Sequence, residues 1–212
     1  MLDTCKKINE IKKIFVVHFE PLAERKNYLN SALGDFDLPI EYYISNSETD
    51  TLIKENLNDY YEYNESILNR HLSLGEIAVS VSHLKIYKKI LDEDIDYCLI
   101  LEDDAILVED FYDKINLVMK EKSNYDFIFL STCCNLHVDK KNENLLYETS
   151  TSRCVTGYIV NKSKLENLLS VSEKISTPID AHLNFIINLK FAWSEPTLIT
   201  QGSESVYKSN LR

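Results

Sequence analysis

Apolar residues run without a break through Tyr97-Cys98-Leu99-Ile100-Leu101, leaving no polar position to mark a solvent-facing side. A strand that is apolar on both faces belongs inside a covered parallel sheet. Shorter apolar runs at Ile14 to Phe19, Ile40 to Tyr43, Phe127 to Leu130 and Val155 to Val160, the last interrupted by Gly157, predict further strands. Between them the pattern changes to a helical period, which predicts helices over Leu22 to Leu33, Glu76 to Leu91, Asp110 to Lys120 and Lys164 to Leu169, with a last one from Ile179 to about Leu189. In the second of these, Ile77, Val81, Leu84 and Leu91 share a core-facing stripe, Glu76, Ser80 and His83 lie along its flank, and Gly75 suits the turn before it. The polar stretch 45–69 fits neither period cleanly and is read as partly helical, a flap beside the pocket, with Tyr60, Tyr61 and Tyr63 in amphipathic packing rather than sugar stacking. Residues 136–144 read as an exposed loop. The alternation of strand and helix predicts the α/β class with a mostly parallel central sheet.

A chain of 212 residues with 44% hydrophobic content is large enough to bury one good-sized core. With only 4 Gly and 4 Pro and no linker-like stretch, residues 1–212 are read as a single domain. The amino terminus, interrupted by Asp3, Lys6, Lys7 and Glu10, lacks the apolar core of a secretory signal, and no stretch reaches membrane-spanning length. The 5 Cys show no metal-ligand spacing: Cys133 and Cys134 are adjacent, and Cys5, Cys98 and Cys154 are scattered. Reduced thiols in a cytoplasmic protein are the expectation, with Cys98 buried in its strand. A net charge of −11 without a concentrated basic face excludes nucleic acid as a partner.

The candidate chemistry begins where the central strand ends, at Glu102-Asp103-Asp104. In open α/β sheets ligands bind at the carboxyl ends of strands, and adjacent carboxylates repel unless a cation joins them. An oxygen-only site of this kind suits Mg²⁺ or Mn²⁺ carrying a phosphate ligand; a solvated acidic turn, continued by Glu109 and Asp110, is the other reading. His83 beside an apolar stripe reads as a structural group before it reads as a ligand.

Several blocks, in order, resemble glycosyltransferase family 25, which includes lipooligosaccharide and collagen galactosyltransferases. They are Ile14-Phe15-Val16-Val17 with Glu24-Arg25-Lys26, Leu74-Gly75-Glu76-Ile77, Ser82-His83-Leu84, Leu99-Ile100-Leu101-Glu102-Asp103-Asp104, Gly157-Tyr158, Pro178-Ile179-Asp180, and a tail of Pro196-Thr197-Leu198-Ile199 with Gln201. His18-Phe19 departs from the usual Asn-Leu pair, and Ala78 stands where a second glycine is common. The resemblance implies a GT-A-like, nucleotide-sugar-binding α/β/α sandwich and a metal-dependent inverting transfer of a hexose, galactose or glucose, from a UDP-sugar. The acceptor class implied is a glycan, glycolipid or hydroxylated protein, in surface-glycan or lipooligosaccharide biosynthesis, on a cytoplasmic protein open to peripheral contact with the inner face of a membrane. Mn²⁺ or Mg²⁺ would sit on Asp104, with Glu102 or Asp103 assisting. Asp180 is the candidate base for the acceptor hydroxyl, and a helix cap otherwise; His182 is a candidate third metal ligand. Arg25 and Arg70 are candidate phosphate or uracil neighbours, Glu76 braces the donor site, and Gly157 either admits the sugar or relieves crowding. A catalytically inactive, glycan- or partner-binding relative is the alternative, and a metal-dependent phosphohydrolase or nucleotidyltransferase would lack an evident nucleophile or phosphate-cradling loop.

Overall fold

The computed structural model describes residues 7–44, 51–132, 136–139, 143–172 and 175–204. In chain order these form β1 (Lys13–His18), α1 (Ala23–Leu33), β2 (Ile40–Ile44), α2 (Thr51–Leu68), α3 (Leu74–Asp92), β3 (Tyr97–Glu102), β4 (Ala105–Leu107), α4 (Phe111–Glu121), β5 (Phe127–Phe129), β6 (Ser131–Thr132), β7 (Leu146–Thr149), β8 (Gly157–Asn161), α5 (Leu165–Ser170), α6 (Ile179–His182), β9 (Phe191–Ser194) and β10 (Ile199–Gln201). A seven-stranded sheet has the order β2-β1-β3-β8-β5-β9-β7, and a small three-stranded sheet has the order β4-β10-β6. In the large sheet β2, β1, β3, β5 and β9 run in one direction, while β8 and β7 run against it. The carboxyl ends of β1 and β3 therefore open onto the same edge.

Side-chain alternation divides the core into two layers. Ile14 and Val16 of β1 and Leu99 and Leu101 of β3 face α1 and α4, where they meet Leu29, Leu33, Ile115 and Val118. Their neighbours Phe15, Val17, Cys98 and Ile100 face the other way, onto Ile86, Tyr87 and Ile90 of α3 and Leu165 and Leu168 of α5. Covering on both faces is why β3 reads as an unbroken apolar run. Cys98 is buried as a free thiol. Cys154, by contrast, is disulfide-bonded, which corrects the reduced-thiol reading for that residue; Cys5, Cys133 and Cys134 lie outside the described residues.

Helix α3 begins one residue before Gly75. Ser73 caps it: its side chain accepts from Glu76 N at 3.2 Å, and Glu76 Oε2 accepts from Ser73 N at 2.7 Å, a reciprocal capping box. The stretch expected to be a partly helical flap contains a full helix, α2, and residues 45–50 lie outside the described residues. Ile53, Leu57, Tyr60, Tyr61 and Leu68 recur at helical spacing and pack on Leu72, Ile77, Ala78 and Val81, so this helix is held by a third apolar cluster. The last helix is shorter than predicted. After α6 a single 3-10 turn, Leu183–Phe185, gives way to extended backbone at Ile186 and a left-handed Asn188 with φ 66°. Two β-branched isoleucines followed by an asparagine able to take that conformation end the helix there.

Gly157 opens β8 between β3 and the small sheet. A Cβ built on it would lie 2.2 Å from Ile199 Cδ1 and 3.2 Å from Leu101 Cδ2, so the position is already filled by its neighbours. Gly157→Ala is expected to destabilise the fold by about 1–3 kcal/mol through overpacking. A denaturant midpoint unchanged at constant slope would contradict this packing.

Candidate active site

Three consecutive carboxylates at the end of β3 point to three different parts of the protein. Asp103, the middle one, turns toward β1 and α1. Its Oδ1 accepts from Arg25 Nη1 at 2.8 Å, while its Oδ2 lies 2.9 Å from His18 Nδ1 and accepts from Phe19 N at 2.8 Å. Burial alone would raise its pKa, but the bonds from His18, Phe19 N and Arg25 outweigh that and hold it below the usual carboxylate range. Arg25 thereby meets a buried carboxylate.

Asp104 turns toward the turn after β10. Its carbonyl accepts from Gly202 N at 2.7 Å and its Oδ2 accepts from Ser203 N at 3.2 Å. Its Oδ1 is buried without any hydrogen-bond partner. A buried carboxylate oxygen left unpaired costs free energy, so its retention needs an explanation.

Glu102 faces α3 and α6. Its Oε1 lies 3.6 Å from His83 Nε2, and its side chain keeps 19% of its surface exposed. Burial, followed by the charges of Asp104, Asp180 and Asp103, pushes its pKa well above the ordinary value. Asp180 enters the cluster from α6 and is raised mainly by burial, against which a bond from Ala181 N to its Oδ1 at 2.8 Å works. Pro178, not Asp180, holds the N-cap position of α6. The Asp180 backbone is clasped from outside: its carbonyl accepts from the hydroxyl of Ser152 and from Asn184 Nδ2, while Ser152 N donates to Asn184 Oδ1 at 2.7 Å.

The other residues singled out in the sequence are placed as follows. Arg70 forms two hydrogen bonds to Glu76, at 2.9 and 3.1 Å, so Glu76 serves both the helix cap and this ion pair. His182 is buried with Nε2 2.8 Å from Ser172 Oγ and Nδ1 3.5 Å from Ser176 Oγ, both contacts lying within its own corner of the fold. Gly157 is occupied by the contact with Ile199 described above. Among the described residues, no group of three His, Cys, Asp or Glu is gathered closely enough to form a ready metal cage. Mg²⁺-type sites seldom need one, since they are commonly built from one or two carboxylates completed by substrate phosphates and water. Glu102 and Asp104, with the orphaned Oδ1, fit that donor set.

The family model described as "Glycosyltransferase family 25 (LPS biosynthesis protein)" matches residues 11–183, most of the chain. The chain belongs to glycosyltransferase family 25. It is accordingly a glycosyltransferase, an enzyme that takes a sugar donor and a glycan-type acceptor. No curated protein matches it. A solved glycosyltransferase involved in the glycosylation of the major capsid of PBCV-1 is similar at 10% identity, with 90% of this chain and 93% of that one covered and a TM-score of 0.45. The family-25 match runs from just before β1 through α6, so it contains Arg25, the β3 acids and Asp180 while leaving out β9 and β10, whose neighbouring turn holds Asp104. Among the described residues, no helix of this family-25 chain is long and apolar enough to cross a membrane.

The Arg25–Asp103 pair is buried on both sides, at 8% and 9% side-chain exposure, so removing one partner strands a charge. Arg25→Ala is expected to cost about 3–5 kcal/mol, and the loss should shrink in an Asp103→Ala background. Additive losses in the double-mutant cycle would contradict the coupling.

Opposite pH behaviour is expected of Glu102. Because its folded-state pKa is raised, the folded protein binds that proton more tightly than the unfolded chain, and stability falls as pH rises above the ordinary glutamate value. In chelator, Glu102→Gln should therefore lose less stability than the parent between about pH 4 and 7, as followed by thermal unfolding. Parallel curves would contradict the assignment.

Proposed function

We propose that the chain is a metal-dependent, inverting hexosyltransferase with a GT-A-type nucleotide-sugar site, moving galactose or glucose from a UDP-sugar to a saccharide or other hydroxylated acceptor in surface-glycan or lipooligosaccharide synthesis. The observation that carries this reading is the orphaned Asp104 Oδ1 at the carboxyl end of β3, two residues after a Glu102 whose carboxyl feels the Asp104 charge, in a family-25 chain. Glu102 and Asp104 would hold Mn²⁺ or Mg²⁺. When bound, that cation neutralises charge on the donor diphosphate and on the departing UDP. This matters especially for a protein of net charge −11, whose own field opposes an anionic donor.

The remaining work falls to the chain's own groups. Asp103 contributes from outside the reacting atoms: by binding Arg25, His18 and Phe19 N it ties the end of β1 and the start of α1 to the end of β3. Asp180 is the base. Its raised pKa brings it nearer to neutrality, where a carboxylate is better matched to accept a proton from an acceptor hydroxyl. One of its oxygens accepts from Ala181 N, and the Ser152–Asn184 clasp fixes its backbone, so the group is oriented before the acceptor arrives. Deprotonated by Asp180, the acceptor oxygen attacks the anomeric carbon on the face opposite UDP, the bond to the UDP oxygen breaks, and configuration inverts.

Asp180→Asn tests this assignment. The variant is expected to retain Mn²⁺-dependent binding of the UDP-sugar while transfer to acceptor, measured as acceptor-dependent UDP release over a panel of UDP-sugars, falls by about 10²–10⁴-fold. Loss of donor binding together with transfer would make Asp180 a metal ligand instead. Undiminished transfer would remove it from the chemistry.

A further inference from the structure

Helix α6, which carries Asp180, is a single turn of four residues. A turn so short has no stability of its own, so contacts from outside set where its carboxylate stands. Ser152 supplies three of them. Its hydroxyl donates to the Asp180 carbonyl and accepts from Asn184 Nδ2 at 2.8 Å, and its N–H donates to Asn184 Oδ1 at 2.7 Å. A hydroxyl has one proton, and here it lies on the bond to Asp180. This side of α6 is therefore placed no more firmly than Ser152 itself.

The residues on either side of Ser152 are fixed to the end of β9. Thr151 O accepts from Trp193 Nε1 at 2.9 Å. Arg153, with no exposed side-chain surface, forms an ion pair with Glu195, whose side chain is only 8% exposed. It also donates through Nη2 to Leu136 O and through Nη1 to Ser194 O at 3.3 Å. Its guanidinium lies over the Trp193 ring, 4.4 Å from the centroid. Glu195 is held in turn, since its N–H donates to Leu145 O at 2.8 Å and its Oε1 accepts from Val138 N at 3.3 Å. One indole thus serves both neighbours of Ser152, with its ring beneath Arg153 and its N–H on Thr151.

Stability alone is a poor account of this cluster. Replacing a buried ion pair by apolar side chains of similar volume is often neutral or stabilising. Here Arg153 Nε and Ser194 Oγ are also buried without hydrogen-bond partners. Direction is what an apolar cluster would not supply. A planar guanidinium held by a carboxylate, two carbonyls and an aromatic face has one orientation, and so has the backbone that carries it.

We propose that Arg153 is a positioning residue for Asp180: seated on Trp193 and paired with Glu195, it holds Ser152 where the hydroxyl fixes the Asp180 backbone. The proposal rests on the reading of Asp180 as the base. Misplacing a reacting group by about 1 Å can lower a rate by about 100-fold, so a loosened footing should appear in the transfer step and not in donor binding.

The test compares Arg153→Lys and Ser152→Ala in the full chain with Mn²⁺, each alone and in the Asp180→Asn background. UDP release from UDP-galactose and UDP-glucose is followed with lactose as a saccharide acceptor and with water alone. Turnover is expressed per molecule that binds UDP, so that loss of folded protein does not count. Arg153→Lys keeps the charge for Glu195 but neither the planar fork nor the stacking, and Ser152→Ala removes only the hydroxyl. Each is expected to lower kcat by about 10–100-fold with the donor KM and UDP affinity parental, and to cause no further loss in the Asp180→Asn background. Where Arg153→Lys does not fold, Trp193→Phe takes its place, since it keeps an aromatic ring beneath Arg153 and removes the N–H that holds Thr151. Parental kcat in any of these folded variants overturns the proposal, as do equal losses in both backgrounds. Undiminished turnover by Asp180→Asn alone would defeat the base assignment, a result recognisable without any of the footing variants.

Discussion

Repulsion among the carboxylates gathered at the end of β3 is the constraint around which the rest of the site is arranged. The backbone turn after Glu102 separates the acids, and each is then answered by a different element. Asp103 meets a cation and two further donors from β1 and α1; Asp104 meets two backbone amides after β10; Glu102 faces the His83 imidazole at 3.6 Å and lies beside the Thr156 side chain. The answers are deliberately unequal in physical effect. Asp103 is satisfied and held ionised, whereas Glu102 and Asp104 retain unanswered capacity in a partly buried place, where opposite charge is worth most. A site with that imbalance pays in stability for what it can bind.

The sheet makes this arrangement rigid. β3 lies between β1 and β8 with both faces covered, so its carboxyl end is fixed by packing before any polar contact forms. The antiparallel β8 brings Tyr158 to the face on which His83 sits, and the loop that precedes it brings Ser152 to the backbone of Asp180. The small sheet closes the opposite side by pairing β10 with β4, immediately after the acids. Ile199 of β10 fills the space left by Gly157, which links packing in the small sheet to the strand nearest the site. Groups far apart in sequence are thus placed by one continuous, dry framework, which is how a site can hold buried polar atoms in reserve.

Much of this was legible in the sequence wherever a local pattern carried the information. The unbroken apolar run of β3, the acids that follow it and the helical stripe of α3 are dictated by nearest neighbours and by burial on both faces. Helix α2 was obscured because Glu, Asp and Asn crowd its outer surface, although Ile53, Leu57, Tyr60, Tyr61 and Leu68 keep a helical interval on the inner one. Strands β4, β6 and β10, of only two or three residues, are too short to show any period and exist because they pair with one another. In the site, the acids could be named from their place at a strand end, and Asp180 from the family resemblance, since a helix start alone reads as a cap. The Arg25–Asp103 and His18–Asp103 contacts could not, since they join positions 78 and 85 residues apart through the adjacency of β1 and β3. The Tyr87–Tyr158–His83 chain of hydrogen bonds was hidden for the same reason: its middle member lies on β8, 71 and 75 residues from the two α3 residues that it joins.

The central claim is that Asp104, with its orphaned oxygen, and Glu102 hold a divalent cation through which an otherwise repelled nucleotide is accepted. Calorimetric titration of UDP into the intact protein, with Mn²⁺ or with excess chelator, against the Asp104→Ala variant, tests it most directly. The account predicts UDP binding by the parent protein only when Mn²⁺ is present, and none by the folded variant in either condition. UDP bound equally well in chelator, or by Asp104→Ala with Mn²⁺, would contradict it.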